Sequence, residues 1–224
     1  MNFKKFGTSL LLVLVSLQIF AQPKPKQTAL ELKVNALMAK MTLEEKVGQM
    51  AQITLDVIGK GKDRFSSDEP FELDEQAMQK ALVQYKLGSV LNASNNRART
   101  PQHWLEVITK IQKVAMSNKN AIPIIYGIDA IHGETYTAGA TMFPQQIGQA
   151  ATFNRELVYK GAEITAYETR ASSIPWAFSP LLDLGADPRF PRQWESFGED
   201  PYLITELGKQ MVYGFQGKDN NIAD

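Results

Sequence analysis

The sequence contains no cysteine and only two histidines, His103 and His132. These scarcities exclude disulfide frameworks, thiol catalysis and the usual zinc ligand sets. Charge of one sign is also lacking, because Lys and Arg together number 24 and Asp and Glu together also number 24. No net field therefore attracts nucleic acid or an anionic membrane. We expect no metal, no other cofactor, no nucleic-acid partner, and an uncharged small molecule as the ligand.

Long apolar runs are scarce as well, and the run from Leu10 to Phe20 is typical of an export signal because Lys4 and Lys5 precede it and Ala21 follows it. The alternative is a membrane anchor, but the run is shorter than the roughly 20 residues that span a bilayer. We predict a signal peptide over residues 1–21 and an exported protein, periplasmic or secreted, with no membrane association in its mature form. Without cysteine, a lipoprotein anchor is excluded.

After the predicted cleavage site, residues 22–27 lack apolar periodicity and predict a flexible leader. The folded part is predicted to begin near Thr28 and to form a single domain over 28–224. Thr42 is followed three residues later by Glu45, which is the pattern of a capping box at the start of a helix. Two helices are therefore expected before the first strand.

Further along, short apolar strands alternate with helices. The predicted strands span 88–91, 122–128 and 176–184. Two predicted helices span about 74–85 and 101–116, and two more are predicted to begin after the caps Asn154 and Asp200. This alternation is typical of a parallel sheet covered by helices, in either a (β/α) barrel or a doubly wound fold. The spacing alone does not choose between these two folds.

The first chemically informative segment is residues 127–134, GIDAIHGE, at the end of the second predicted strand. Ligands of parallel α/β folds bind at the carboxyl ends of the strands. Asp129 can accept hydrogen bonds from two neighbouring hydroxyl groups, which suits a neutral polyol. The alternative is a carboxylate that only shapes its loop, and His132 can equally be a structural hydrogen-bonding residue.

The second segment, residues 184–201, follows the third predicted strand. Its arginines, acids and aromatic residues offer donors for hydroxyls and flat faces for sugar rings. The alternative is a loop that is merely cross-linked by salt bridges. Asp200 precedes Pro201 at the start of a helix, so it is predicted to be a helix cap rather than a catalytic acid.

Three separate blocks now support a resemblance: GIDAIHGE at 127–134, ATMFPQQIGQAATFN at 140–154 and DPRFPRQWESFGEDP at 187–201. Together they resemble glycoside hydrolase family 3, and most closely its bacterial periplasmic β-glucosidase branch. The resemblance implies an α/β fold that is the N-terminal part of a (β/α)8 TIM-like barrel, truncated before closure.

The resemblance also assigns substrate-binding residues. Asp129 matches the family aspartate that binds the terminal glucosyl unit, Arg192 matches an arginine that contacts the same sugar, and Glu195 matches the acid that supports this arginine. His132 matches a histidine with a supporting role.

One departure concerns Arg192. The family commonly has Trp-Gly between two arginines where this chain has Phe190 and Pro191, so Arg189 is a second candidate for the sugar contact.

Retaining hydrolysis needs two carboxyl groups about 5 Å apart, and the resemblance implies that both lie downstream, together with a Lys-His pair. We therefore predict no catalytic residue in this chain and an inactive fragment of an exo-acting retaining β-glucosidase, whose substrate is a β-glucoside or oligosaccharide. The alternatives are a β-xylosidase or another exo-glycosidase of the family, and a noncatalytic sugar-binding protein.

Overall fold

The computed structural model describes residues 28–218, so the predicted signal peptide and leader lie outside the described residues. The chain divides into two compact units, with the boundary between Met41 and Thr42. Within the described part of the first unit, helix α1 spans Ala29–Met38. Thr28 and Glu31 cap its amino terminus reciprocally, since Glu31 N donates to Thr28 Oγ1 and Thr28 N donates to Glu31.

The second unit begins with the predicted capping box. Thr42 and Glu45 exchange the same pair of hydrogen bonds at the start of α2, Leu43–Gln49. This confirms the helix boundary predicted from the sequence.

Four parallel strands form one sheet whose spatial order is the chain order: β1 Gln52–Thr54, β2 Ser89–Leu91, β3 Ile125–Ile128 and β4 Trp176–Ala177. The register aligns Ile53 with Val90 and Tyr126. A doubly wound sheet reverses its strand order at a switch point, whereas a barrel adds each strand beside the last. The described strands therefore have barrel topology in an open sheet, as predicted.

Helices connect the strands on the outside of the sheet. Their bounds are α3 Glu75–Met78, which continues as a π-helical segment Gln79–Gln84, then α4 Pro101–Met116, α5 Gln146–Ala150, α6 Arg155–Ala171 and α7 Pro201–Gln216. Side-chain caps begin several of them: Asn154 accepts from the amides of Glu156 and Leu157, and Asp200 accepts from that of Tyr202. The prediction that Asp200 caps a helix is confirmed.

Two apolar clusters hold this unit together. The larger packs α3 and α4 beneath the sheet and contains the fully buried Trp104 and Tyr126, whose rings meet edge to face at 5.8 Å. The smaller joins α6 and α7 around Ala162, Phe197 and Leu207. The larger cluster fixes β2 and β3, the two strands that carry the candidate site.

The structure differs from the strand predictions in three places. The predicted strand 122–128 begins only at Ile125. β1 was not predicted, because its three residues alternate polar and apolar too briefly to give a pattern. The predicted strand 176–184 contains only the two residues of β4. Pro180 lies within that span and has no amide hydrogen for a ladder bond, so residues 178–184 run on as a loop.

Candidate sugar-binding site

The candidate site begins with Asp129, which follows β3 directly and is half-buried at the carboxyl edge of the sheet. Asn92 follows the neighbouring strand β2 and lies beside Asp129. Asn92 Nδ2 donates to Asp129 Oδ2 at 2.8 Å, and the Asp129 amide donates to Asn92 Oδ1 at 3.0 Å. One amide side chain thus binds both the carboxylate and the backbone of Asp129.

The backbone of Asn92 is itself anchored. Its amide donates to Gly127 O at 2.9 Å, and the Tyr126 hydroxyl donates to Asn92 O at 2.6 Å. Burial raises the pKa of Tyr126 well above its usual value, so the phenol keeps its proton and remains a donor. Asn92 has a left-handed φ of 59°, which asparagine tolerates better than most residues.

His132 lies in the same loop, half-buried, with Nδ1 2.8 Å from Phe143 O. A carbonyl oxygen only accepts, so Nδ1 carries a hydrogen and donates. The Phe143 amide donates back to His132 O at 2.7 Å. His132 therefore joins the two ends of the loop.

Glu134 ends the same block and is completely buried. Its Oε2 lies 3.3 Å from Thr169 Oγ1 on α6, while that hydroxyl also contacts Thr165 O at 2.7 Å. Burial is the main reason that the pKa of Glu134 rises to about 7. The hydroxyl hydrogen belongs to the shorter contact with a carbonyl, so a protonated Glu134 can donate to Thr169.

The second predicted block forms a loop after β4. Gly185 N donates to Gly198 O at 2.8 Å, which closes the loop at its base. Arg189 is 89% exposed and forms a fork with Asp187, with Nη2 2.6 Å from Oδ2. Arg192 is 49% exposed, and its Nε donates to Glu195 Oε2 at 2.7 Å.

Of the five predicted residues, the structure joins two directly, because Arg192 and Glu195 form an ion pair. Hydrogen bonding to Glu195 raises the pKa of Arg192 first, and the negative charges of Asp129 and Asp183 raise it further. Asp129, Arg192 and Glu195 therefore belong to one electrostatic neighbourhood. Arg189 instead pairs with Asp187 in the opposite direction along the loop, and His132 bonds to Phe143.

A brace connects the loops that follow β1, β2 and β3. Arg99, in the loop after β2, binds both carboxylate oxygens of Glu69 at 2.8 and 2.7 Å. Its backbone accepts from Ala138 and donates to Tyr136 O, both at 2.8 Å. Hydrogen bonding from Arg99, and next from Asn95, lowers the pKa of Glu69 to about 2. We call this arrangement the Arg99 brace.

Sequence reasoning missed Asn92, Glu134 as a buried acid, and the Arg99 brace. Asn92 carried one usable signal, because it follows a predicted strand at the edge where ligands bind. In the described part of the chain, no group of three His, Asp or Glu side chains is placed to hold a metal ion. No helix of that part is long and apolar enough to cross a membrane.

Four parallel strands in chain order, with polar side chains at their carboxyl ends, are the arrangement of part of a (β/α) barrel. Residues 42–223 match the model of the glycosyl hydrolase family 3 N terminal domain, and the chain belongs to this family. The lysosomal β-glucosidase of Dictyostelium discoideum is 38% identical over 84% of this chain and 23% of its own length. The periplasmic β-glucosidase of Salmonella typhimurium is 28% identical over 83% of this chain and 21% of its own.

Solved structures agree with this assignment. An exo-1,3/1,4-β-glucanase from Pseudoalteromonas is 33% identical, with a TM-score of 0.70 over 88% of this chain and 23% of that one. A Listeria innocua β-glucosidase in complex with glucose is 35% identical, with a TM-score of 0.62 over 83% of this chain and 24% of its own. The chain thus spans about a quarter of the length of the relatives it matches.

Proposed function

We propose that this chain forms the sugar-binding face of an exo-acting, retaining β-glucosidase that removes terminal β-linked glucose from oligosaccharides or glycosides. The observation that carries the proposal is the clamped Asp129 at the carboxyl end of β3, in the electrostatic neighbourhood of Arg192. Support comes from family membership and from several relatives that are named β-glucosidases.

Each site residue has a distinct part in this proposal. The Asp129 carboxylate accepts hydrogen bonds from adjacent sugar hydroxyls, and the Arg192 guanidinium donates to the same ring. Glu195 accepts a 2.7 Å hydrogen bond from Arg192 and limits the rotation of the guanidinium without fixing it. His132 keeps the loop closed by its bond to Phe143. Arg189, paired with Asp187, is the least favoured of the five for direct sugar contact.

The bond-breaking groups belong elsewhere in this proposal. Retention requires one carboxylate to attack the anomeric carbon and a second carboxyl group to protonate the leaving oxygen. Because the chain spans only 23% of its Dictyostelium relative, we assign both groups to a part of the protein outside these 224 residues. The residues described here bind and orient the sugar.

The test is to express the protein from its complete reading frame and measure kcat/KM on an aryl β-glucoside. Asp129→Asn keeps the shape of the side chain but removes its charge, so we expect a loss of roughly 100-fold or more. Asp68→Asn is the matched control, because Asp68 is exposed in the loop after β1. Equal activity of Asp129→Asn and the unmodified protein would overturn the proposed site.

A second candidate activity is β-xylosidase. A putative β-xylosidase of Formosa agariphila is 30% identical over 90% of this chain and 26% of its own length. Comparing kcat/KM for aryl β-glucoside and aryl β-xyloside separates the two. The two substrates differ in one group, because a xylose unit lacks the hydroxymethyl group of glucose. A preference for the xyloside would change the proposed activity from β-glucosidase to β-xylosidase and would leave the family assignment unchanged.

We further propose that the protein is exported and cleaved after Ala21. The support is the apolar run from Leu10 to Phe20 behind Lys4 and Lys5, together with the periplasmic relative from Salmonella. Amino-terminal sequencing of the protein from a periplasmic or culture fraction should begin at Gln22. A protein that keeps Met1 and stays in the cytoplasm would contradict export.

A further inference from the structure

We propose that Asn92 is a positioning residue for sugar binding, which holds the Asp129 carboxylate in its binding orientation. This role rests on the proposed function of Asp129. Asn92 lies one strand away from Asp129 and 37 positions earlier in the chain, yet both polar atoms of its side chain bond to that residue.

The two bonds require one donor and one acceptor on the same short side chain. The Asp129 backbone amide needs an acceptor, which Asn92 Oδ1 supplies at 3.0 Å. The Asp129 carboxylate needs a donor, which Asn92 Nδ2 supplies at 2.8 Å. Aspartate offers no donor in its charged form, and serine has a single oxygen on a shorter arm. Asparagine is therefore the residue that satisfies both partners.

The clamp also leaves room for a ligand. Among residues 28–218, Asn92 provides the one hydrogen bond to the Asp129 carboxylate, and it uses Oδ2. Each carboxylate oxygen can accept about two hydrogen bonds, so Oδ1 and part of Oδ2 remain open to sugar hydroxyls. A carboxylate with these free acceptor sites can accept from two sugar hydroxyls at once.

The turn at Asn92 does not depend on the Asn92 side chain. Its backbone bonds run to Gly127 and Tyr126, and neither involves the amide group. Glycine and aspartate both tolerate a left-handed φ near the observed 59°. A change of side chain can therefore remove the clamp while the turn persists.

The experiment compares Asn92→Asp, Asn92→Gly and the control Asn96→Asp in the protein expressed from its complete reading frame. Asn96 lies in the same loop, is exposed and has a similar φ of 52°, so it matches the conformation and the charge change. The readouts are the pH profile of kcat/KM on an aryl β-glucoside, KM and kcat separately, and the thermal melting curve.

Asn92→Asp should lower kcat/KM by roughly 10- to 100-fold near neutral pH and should move the acidic limb of the profile to higher pH by about one unit. The reason is that a second carboxylate beside Asp129 repels its charged form. Asn92→Gly should raise KM by a similar factor with a smaller pH displacement, because it removes the donor without adding charge. Asn96→Asp should leave both unchanged.

Two results would overturn this role. One is a kcat/KM within twofold of the unmodified protein for both Asn92 variants. The other is an equal pH displacement in Asn96→Asp. If Asn92→Asp unfolds, the Asn92→Gly comparison still decides. Asp129→Asn separates the levels: if it is fully active, the proposed site and the role of Asn92 both fail, whereas if it is inactive and the Asn92 variants are normal, only the role of Asn92 fails.

Discussion

The acidic side chains of the loop after β3 are held by residues far away in the sequence, whereas the arginines of the loop after β4 are held by their near neighbours. Asp129 is bound to Asn92 on the adjacent strand, and Glu134 reaches Thr169 on α6. In the second loop, Arg192 pairs with Glu195 three residues away, and Arg189 pairs with a residue two positions away.

This difference separates two kinds of binding group. A carboxylate held by distant elements keeps its place whether or not ligand is present. Arg192 is half exposed and pairs with a residue of its own loop, so water competes for its guanidinium although the side chain of Glu195 is only 13% exposed. We infer that Asp129 defines where the sugar lies and that Arg192 adjusts to it.

The largest effect should come from breaking the first loop at Gly133, with Gly133→Ala. Its φ is +103°, and an added Cβ would lie 2.0 Å from Thr141 O. Backbone strain and the clash together should lower the free energy of unfolding by about 4 kcal/mol, as measured by chemical denaturation. The control is Gly139→Ala, where φ is +88° but the Cβ meets nothing within 4 Å. Equal losses in both variants would contradict the role of the clash.

Glu134→Gln should reveal the buried acid in the same loop. Burial raises the pKa of Glu134 from 4.5 to about 7, so the folded protein holds a proton that the unfolded chain releases between these pH values. The stabilising effect of this proton is complete below pH 4.5 and is lost as pH rises to about 7.

The free energy of unfolding of Glu134→Gln minus that of the unmodified protein should therefore increase by about 3 kcal/mol from pH 4.5 to pH 8. Denaturation curves at several pH values measure this gain. Glu199→Gln, at an exposed position of the second loop, should show no such trend. Parallel stability profiles for Glu134→Gln and the unmodified protein would show that Glu134 is ionised in the folded state.

A smaller effect is expected for Glu195→Gln. Loss of the charged acceptor frees Arg192 to rotate, so KM for an aryl β-glucoside should rise by about fivefold while the melting temperature stays nearly constant. A large fall in melting temperature would mean that the second loop depends on this ion pair for folding, which would contradict the prediction.

The smallest effect belongs to Arg189→Gln. Its side chain is 89% exposed and, among residues 28–218, bonds to Asp187 alone, so kcat/KM should stay within about twofold of the unmodified value. Steady-state kinetics on the same glucoside measure it. A loss as large as that of Arg192→Gln would instead make Arg189 the sugar-binding arginine of the loop.

Local signals in the sequence predicted the parts of the fold that depend on local physics. Three capping patterns mark helix starts, because each cap bonds to amides within three residues: Thr42 with Glu45, Asn154, and Asp200 before Pro201. β1 escaped prediction because three residues carry too little periodicity. The family resemblance supplied the barrel where spacing left two folds open.

The candidate site shows the same limit more strongly. Asp129 was found because it stands after a strand within a recognisable block, but its partner Asn92 is 37 residues away. Likewise, the residues near Glu134 in the sequence do not predict that its side chain is buried against Thr169. Such pairs exist only once parallel strands and helices bring distant positions together, so a pattern confined to neighbouring residues does not contain them.

The Arg99 brace has a consequence for the entropy of binding. Its ion pair with Glu69 and its backbone bonds to Tyr136 and Ala138 make three successive loops one connected body. Ordering a loose loop around a ligand costs conformational freedom, and this cost is subtracted from the affinity. Loops already fixed to one another before the sugar arrives escape much of that loss, so weak hydrogen bonds to a neutral sugar can suffice for recognition.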